Sequence, residues 1–444
     1  MPDKSMQDMK MKGLLIQFKM FFIFIVDLAV AFSALFLMIL IRYGSENFSA
    51  QLKDHFIPFS IITLLFILIF FIFNLYSFRF NKNTTEFANS FAKSLMISFS
   101  ISVLIFYIFG DFFKLTPKTN LVIFTGIFGI LDFYLRILIK RYFTHRKINR
   151  KIIIISKKRD GLVEELRRNQ NIGYEIIRES DMLDLNEIIA LDPDIVVISG
   201  DEGAEFNKIY ALVKKGIFVY TINNFYEEMF QKMPTEILGK NEIIEYISEN
   251  KTIFNFMKRI LDIALSFALI ILLSPVFVLT AIIVKLTSKG PALFKHQRIS
   301  LNDTEFTIYK FRSMYLNSEK NGAVWTKDNK KDSRITPVGK FIRETHLDEI
   351  PQLINILKGD ISFVGPRPER PEFIRNLKQD ILYYDLRHTV KGGLTGWAQV
   401  NYKYGSSTED AREKLKYDFY YIKNRNIFFD IIIILKTIAK IFTY

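Results

Sequence analysis

Apolar residues follow three textures along this 444-residue chain, and each predicts a different kind of structure. Over residues 20–41, 56–76, 94–113 and 121–139 they run nearly unbroken, close to the roughly 20 residues with which a helix crosses a bilayer. The first run is too long for a removed signal peptide and lacks a small-residue cleavage site, so it reads as an anchor. Lys4, Lys10, Lys12 and Lys19 precede it, Arg79, Lys82 and Lys93 follow the second run, and Lys140, Arg141, Arg146, Lys147, Arg150 and Lys151 follow the fourth. The other two loops carry only Arg42, Lys53, Lys114 and Lys118, which by the positive-inside rule places both ends of a four-helix unit in the cytoplasm. Asp132 and Arg136, four apart, fit an intramembrane pair or a functional site equally well.

Residues 151–250 alternate strands and helices. KIIIIS (151–156), DIVVIS (194–199) and IFVYTI (217–222) read as buried parallel strands, with GLVEELRRN (161–169) as a helix between them. The pattern predicts a Rossmann-like unit of about 100 residues. Its first strand runs into SKKRDG, where a dinucleotide site needs GxGxxG, so bound NAD is not expected and a regulatory or assembly role is.

Residues 251–444 open with another apolar stretch, uncharged over 263–284 and long enough to span. Against a span stand Lys251, Lys258 and Arg259 on one side and Lys285, Lys289 and Lys295 on the other, a symmetry that a crossing helix avoids. Pro275 also removes an N–H and clashes with the Ile271 carbonyl, predicting a bend, with the Ser274 hydroxyl available to the freed backbone. A helix that enters and returns on the cytoplasmic side, about 254–287, fits both observations; a kinked spanning helix is the other reading. The closing run from Ile427 is interrupted by Asp430, Lys436 and Lys440, which suits a helix lying in the membrane interface or an ordinary core helix.

Composition agrees with a membrane: 50% of residues are hydrophobic and 44 are Phe. The net charge of +14 borders the apolar runs, which favours lipid headgroups, and no basic stripe interleaved with aromatics points to nucleic acid. With no cysteine, thiolate metal sites and cysteine nucleophiles are excluded. Five scattered histidines show no metal-ligand spacing, so a metal here would sit on oxygen ligands.

The densest chemistry lies in HLDEIPQL, where Asp348 and Glu349 stand side by side before Pro351. Acidic residues and a proline at a helix entrance are what capping requires, and Leu353, Ile354 and Leu357 up to Gly359 supply the short helix. The same entrance is a natural phosphate site, and its dipole would keep Asp348 ionised. Lys310, Arg312, Arg343 and Arg367 are the candidate anion-binding cations, and Pro366 and Pro368 stiffen the loop around Arg367. Trp397 fits either the core or the headgroup level.

GPALFKHQRISLNDTEFTIYKFRSM (290–314), LDEIPQLINILKGDISFVGPRPERPEF (347–373) and GLTGWAQVNYKYG (393–405) resemble the three signature blocks of the bacterial sugar transferases, the polyprenyl-phosphate glycosyl-1-phosphate transferases. The likeness covers 251–444; with the two upstream regions it resembles the long form that primes exopolysaccharide, capsule or O-antigen synthesis. It implies a membrane protein with a four-helix transmembrane domain (1–150), a Rossmann-like domain (151–250) and a monotopic α/β catalytic domain (251–444) with a re-entrant helix kinked at Ser274 and Pro275. It further implies transfer of a sugar 1-phosphate from a UDP-sugar to undecaprenyl phosphate with release of UMP, at the cytoplasmic face of a bacterial inner membrane. Asp348 matches the family's nucleophile, Glu349 its ligand for Mg²⁺ or Mn²⁺, Arg343 a phosphate-binding residue, and Pro366, Arg367 and Pro368 the element on the nucleotide side. Downstream glycosyltransferases are the implied partners, and a homodimer through the membrane or middle region suits the architecture. Ser300 and Asp303 stand where the family has glycines, and Gly392 where it commonly has proline, which puts the local loops in question. The competing readings are a non-catalytic assembly scaffold and a nucleotide-sugar oxidoreductase or dehydratase built on the middle region.

Overall fold

The computed structural model of the chain describes residues 4–73, 75–76, 84–110, 118–145, 150–156, 161–168, 174–182, 184–199, 206–235, 251–316, 318, 332–402, 405 and 407–441. The SKKRDG turn, residues 236–250 and much of the Lys/Arg-rich stretch after the fourth apolar run fall largely outside them. Two compact units, Met1–Phe225 and Tyr226–Tyr444, divide the chain.

In the first unit, helices α1 (Lys4–Tyr43), α2 (Phe48–Ile72), α3 (Thr84–Ile108) and α4 (Lys118–His145) form a bundle in which α1 packs on α2 and α4, and α3 on the same two. All four are long and apolar enough to cross a membrane. They outrun the apolar stretches at most ends, because hydropathy marks the lipid-facing length rather than the hydrogen-bonded one. Aromatic rings fill the centre: Phe59 meets Phe124 edge-on at 5.1 Å, and Phe124 stacks on Phe128. Among the described residues of the bundle, the buried charges gather in one knot. Arg136 donates to Asp132 on its own helix (2.8 Å), to Asp27 on α1 (2.5 Å) and to the Leu75 carbonyl (2.7 Å), while Tyr76 donates to Asp27.

The same unit holds a parallel sheet of order β2-β1-β3-β4, from β1 (Arg150–Ile155), β2 (Tyr174–Ser180), β3 (Ile195–Ile198) and β4 (Phe218–Thr221). Between them lie α5 (Gly161–Arg168), α6 (Leu185–Leu191) and α7 (Phe206–Lys214), and α8 (Ile222–Phe230) comes after β4. The continuous apolar runs are the two interior strands, β1 and β3, and the half-buried edge strand β4. β2, YEIIRES, is an edge strand whose mixed burial gives no such run.

In the second unit, residues 226–235 are bonded to the C-terminal part of the chain. Glu227 accepts from Lys423 and Asn424, the Met233 amide donates to the Lys416 carbonyl, Lys232 pairs with Glu413, and Trp397 Nε1 donates to the Gln231 carbonyl at 2.8 Å. Trp397 is thereby a core residue, 3% exposed, with Lys436 over its ring.

Helices α9 (Thr252–Leu272) and α10 (Ser274–Thr287) meet at a 62° bend. At the bend Pro275 lacks the N–H that would reach the Ile271 carbonyl, and Ser274 Oγ donates to that carbonyl at 2.8 Å. Both arms rest on the same body. From α9, Lys258 binds Asp430, Arg259 donates to the Ile356 and Leu357 carbonyls (2.6 and 2.7 Å), and buried Asp262 accepts from Ser362 Oγ and Phe363 N (3.0 and 3.1 Å). From α10, Phe277, Ala281 and Val284 pack around Phe311 and Ile342. Lys258 and Arg259, expected to be membrane flanks, are docking groups instead, whereas Ile253, Phe256, Phe267, Leu272 and Leu279 point outward and are exposed.

The rest comprises an antiparallel pair, β5 (Leu293–Ile299) and β6 (Glu305–Phe311), a parallel pair, β7 (Ser362–Val364) and β8 (Gly393–Thr395), and helices α11 (Pro337–Glu344), α12 (Gln352–Lys358), α13 (Pro371–Asp380), α14 (Trp397–Asn401), α15 (Thr408–Asn424) and α16 (Ile427–Ile441). α16 contributes Ile433 to the core and leaves Phe428 and Ile431 exposed.

Candidate active site

β6 ends at Lys310 and Phe311, α11 ends shortly before the acidic pair, and the loop after β7 carries Arg367. The acidic pair occupies a single 3-10 turn, Leu347–Glu349, entered through His346 at φ 57° and followed by α12. Neither the turn nor α12 has a side-chain cap at its first position, so the carboxylates are not spent on capping.

Glu349 instead joins two cations. Lys310 Nζ and Arg367 Nη2 each lie 2.7 Å from the same oxygen, Oε1. Burial raises the Glu349 carboxyl, but Arg367 and Lys310 more than reverse this and hold it well below the usual carboxylate range. Burial likewise lowers the Lys310 ammonium. Asp348, 7% exposed, responds the other way: burial raises its carboxyl above the usual range, with Lys310, Arg343 and Arg367 opposing and Glu349 adding to it. The helix dipole expected to keep Asp348 ionised is thus outweighed, because a single 3-10 turn aligns few peptide dipoles while desolvation acts fully. Two adjacent carboxyls pushed apart in this way are a mark of acid–base or nucleophilic sites. Arg343, on α11, faces Asp348 electrostatically and has a buried Nη1 with no hydrogen-bond partner among the described residues.

Arg312 does not join this group. Its Nη2 donates to the carbonyl and hydroxyl of Ser288 just beyond α10, at 2.8 and 2.7 Å, which ties the end of α10 to the domain. Ser274 and Pro275 sit at the bend, where they shape the helix pair.

Sequence reasoning passed over a second layer of cations. Arg298 donates to the Pro368 carbonyl (2.9 Å) and to His296 Nε2 (2.7 Å). Burial, then Arg298, Arg370, Lys310 and Arg367, push His296 down to about 2, so its imidazole is neutral. The hint lay in KHQRI, where His296 and Arg298 fall on one face of a strand with Lys310 on the neighbouring one. The β5–β6 turn keeps its tight form without the family's glycines: Asn302 and Asp303 adopt φ 53° and 59°, and Asp303 accepts from Lys378 and bonds His388 Nδ1 at 2.7 Å.

Behind Arg367 the backbone is crowded. A Cβ at Gly393 would stand 2.1 Å from Gly365 N, and one at Gly365 2.3 Å from the Lys391 carbonyl, so glycine at both positions is required for β8 to pass beneath the loop. Gly392 lies against Pro368, where a Cβ would meet its ring at 2.5 Å.

Among the described residues no three His, Asp or Glu side chains gather into a metal cage. The two carboxyls of Asp348 and Glu349 are a donor set suited to a hard cation that completes its shell with phosphate oxygens and water.

Residues 253–444 match the family model described as bacterial sugar transferase. The chain is 41% identical over 225 residues to the UDP-N-acetylgalactosamine-undecaprenyl-phosphate N-acetylgalactosaminephosphotransferase of Aeromonas hydrophila, covering 51% of this chain and 52% of that one. It is 40% identical over 186 residues to the UDP-glucose:undecaprenyl-phosphate glucose-1-phosphate transferase of Escherichia coli K12 (41% of this chain, 40% of the other). A protein of the same description from Caulobacter vibrioides is 36% identical over 188 residues, covering 42% of this chain and 70% of its own. The chain thus spans about half the length, or less, of the first two relatives and over two thirds of the third.

Proposed function

The chain belongs to the bacterial sugar transferase family, and from that premise we propose that it moves a sugar 1-phosphate from a UDP-sugar to undecaprenyl phosphate. The observation that carries the proposal is a buried Asp348, its carboxyl raised by that burial, beside a Glu349 held by Lys310 and Arg367, in a unit whose relatives are named for this transfer.

In the proposed first step an Asp348 oxygen attacks the phosphorus that carries the sugar. The bond from that phosphorus to the bridging oxygen breaks, and UMP leaves with the electron pair. In the second step an oxygen of the lipid phosphate attacks the same phosphorus and expels the Asp348 carboxylate, leaving polyprenyl diphosphate sugar. The cations Lys310, Arg343 and Arg367 are already in place around the carboxylate. They lower the charge repulsion between Asp348 and a diphosphate and oppose the upward pull of burial on its carboxyl. Glu349, with Asp348 beside it, would hold Mg²⁺, or Mn²⁺ in its place, and the ion supplies charge neutralisation on the diphosphate.

The 62° bend and the docking of both arms of α9–α10 onto one body support a re-entrant helix rather than a span, keeping the site on the side where UDP-sugars are made. The four-helix bundle is then the transmembrane domain and the parallel sheet a Rossmann-like regulatory or assembly domain.

The test is UMP release by purified protein in lipid with Mg²⁺ over a panel of UDP-sugars, with and without undecaprenyl phosphate. Lipid-dependent release for one sugar, reduced at least about 10³-fold in Asp348→Asn, is the expected result. Asp348→Asn retaining most of the activity would remove the nucleophile assignment.

A further inference from the structure

Four successive backbone carbonyls of the loop that presents Arg367 are each held by a donor, two of them from β5 and the others from β8 and from Arg387. The Pro366 carbonyl accepts from Gly393 N (2.9 Å), Arg367 from Arg387 Nη2 (3.1 Å), Pro368 from Arg298 Nη1 (2.9 Å) and Glu369 from Ile299 N (3.0 Å). Pro366 and Pro368 have no N–H of their own, so the loop is fixed almost wholly through its acceptors. Of the four clamps, only the one on Arg367 itself comes from a side chain that lies buried beneath the loop. Arg387 is 5% exposed; its Nη1 donates to Tyr384 Oη at 2.6 Å and its Nη2 lies 2.8 Å from Asp418 on α15.

We propose that Arg387 is a positioning residue for the transfer reaction: without touching substrate, it fixes the backbone of Arg367 so that the Arg367 guanidinium stands ready on the Glu349 side of the nucleotide site. The inference rests on the proposed transfer for its consequence and on geometry alone for the contact. A guanidinium suits the task because its planar fork serves Tyr384, Asp418 and the Arg367 carbonyl together, which a single ammonium cannot do in the same directions. An alternative, that Arg387 and Asp418 are a buried ion pair serving stability only, predicts a loss that does not depend on Arg367.

The experiment uses the full chain in lipid nanodiscs and the variant Arg387→Lys, which keeps the charge opposite Asp418. Hydrogen exchange over residues 365–370 is measured first, and is expected to quicken about tenfold or more while exchange elsewhere in the unit holds. UMP affinity is measured second, by calorimetry, in a double-mutant cycle with Arg367→Ala. Arg387→Lys is expected to weaken UMP about tenfold when Arg367 is present and less than about twofold when it is alanine. Unchanged loop exchange overturns the proposal, and so does an equal loss of affinity in both backgrounds. If the loop loosens as expected but wild-type protein binds no UMP and turns over no UDP-sugar, the transfer reading falls and the positioning contact stands.

Discussion

Replacing Asp262 with leucine separates the two ways of reading α9, because they predict effects of opposite sign. Asp262 lies about midway along α9, 5% exposed, and accepts from Ser362 Oγ and Phe363 N. Were residues 263–284 a span facing lipid, Asp262 would stand at its edge, and removing the carboxylate would favour insertion. In the docked arrangement the carboxylate is a structural acceptor, and its loss leaves a backbone N–H and a hydroxyl on β7 buried without it. Hydrogen bonds to a charged acceptor contribute about 1.5–3 kcal/mol each, and the leucine recovers part of this by burying apolar surface, so a net loss of about 3 kcal/mol is expected. For a unit of about 220 residues that corresponds to a fall in unfolding midpoint of about 6–12 °C. The assay is thermal unfolding in detergent, read through Trp397 fluorescence, with Asp262→Asn as an intermediate case. A midpoint equal to or above wild type would refute the docking argument.

Chains beginning at Tyr226 and at Lys251 are expected to differ in stability, the shorter melting several degrees lower, since Trp397 Nε1 and the Lys416 carbonyl lose their partners at about 1–3 kcal/mol per stranded buried group; equal melting curves would show the 226–235 segment to be dispensable. Acid should destabilise the second unit. His388 is pushed down to about 4, by burial and then by Arg387 with Asp303 opposing, and His296 to about 2. The unfolded chain binds protons at these sites that the folded one does not, so stability falls as pH drops from about 6.5 towards 4, by about 1.4 kcal/mol per pH unit for each histidine. Equilibrium unfolding between pH 7 and 4.5 checks it; a flat profile, or a slope that stays as steep in His388→Gln, would count against the burial argument.

How much could be read in advance depended on whether a residue announces its role locally. The four bundle helices, apolar on their exposed faces as well as their packed ones, and the inner strands β1 and β3, buried on both faces, did, because no polar face interrupts them. Ser274 and Pro275 did, because the consequences of a missing N–H are confined to one turn. Asp348, Glu349, Lys310 and Arg367 were legible as chemistry, yet their grouping comes from β6, a 3-10 turn and a proline loop meeting across 39 and 18 residues of sequence. Arg312 was misplaced for the same reason in reverse: it neighbours Lys310 by sequence, but its side chain goes to Ser288, just beyond α10. The raised Asp348 carboxyl was hidden as well, since desolvation belongs to the packed domain and no short peptide carries it. Arg387 and Asp262 had no local signature at all, because the groups they hold include backbone atoms far along the chain.

The knot of Asp27, Asp132 and Arg136 bears on how the protein is made. Asp27 sits on α1, and its guanidinium partner lies 109 residues later on α4. At translation rates of about 5–20 residues per second, that interval lasts roughly 5–20 s. Throughout it α1 carries an acid whose cation does not yet exist, with Tyr76 the earlier of its two partners to be made. Packing of the earlier helices leaves the knot open, and the arrival of Arg136 completes it.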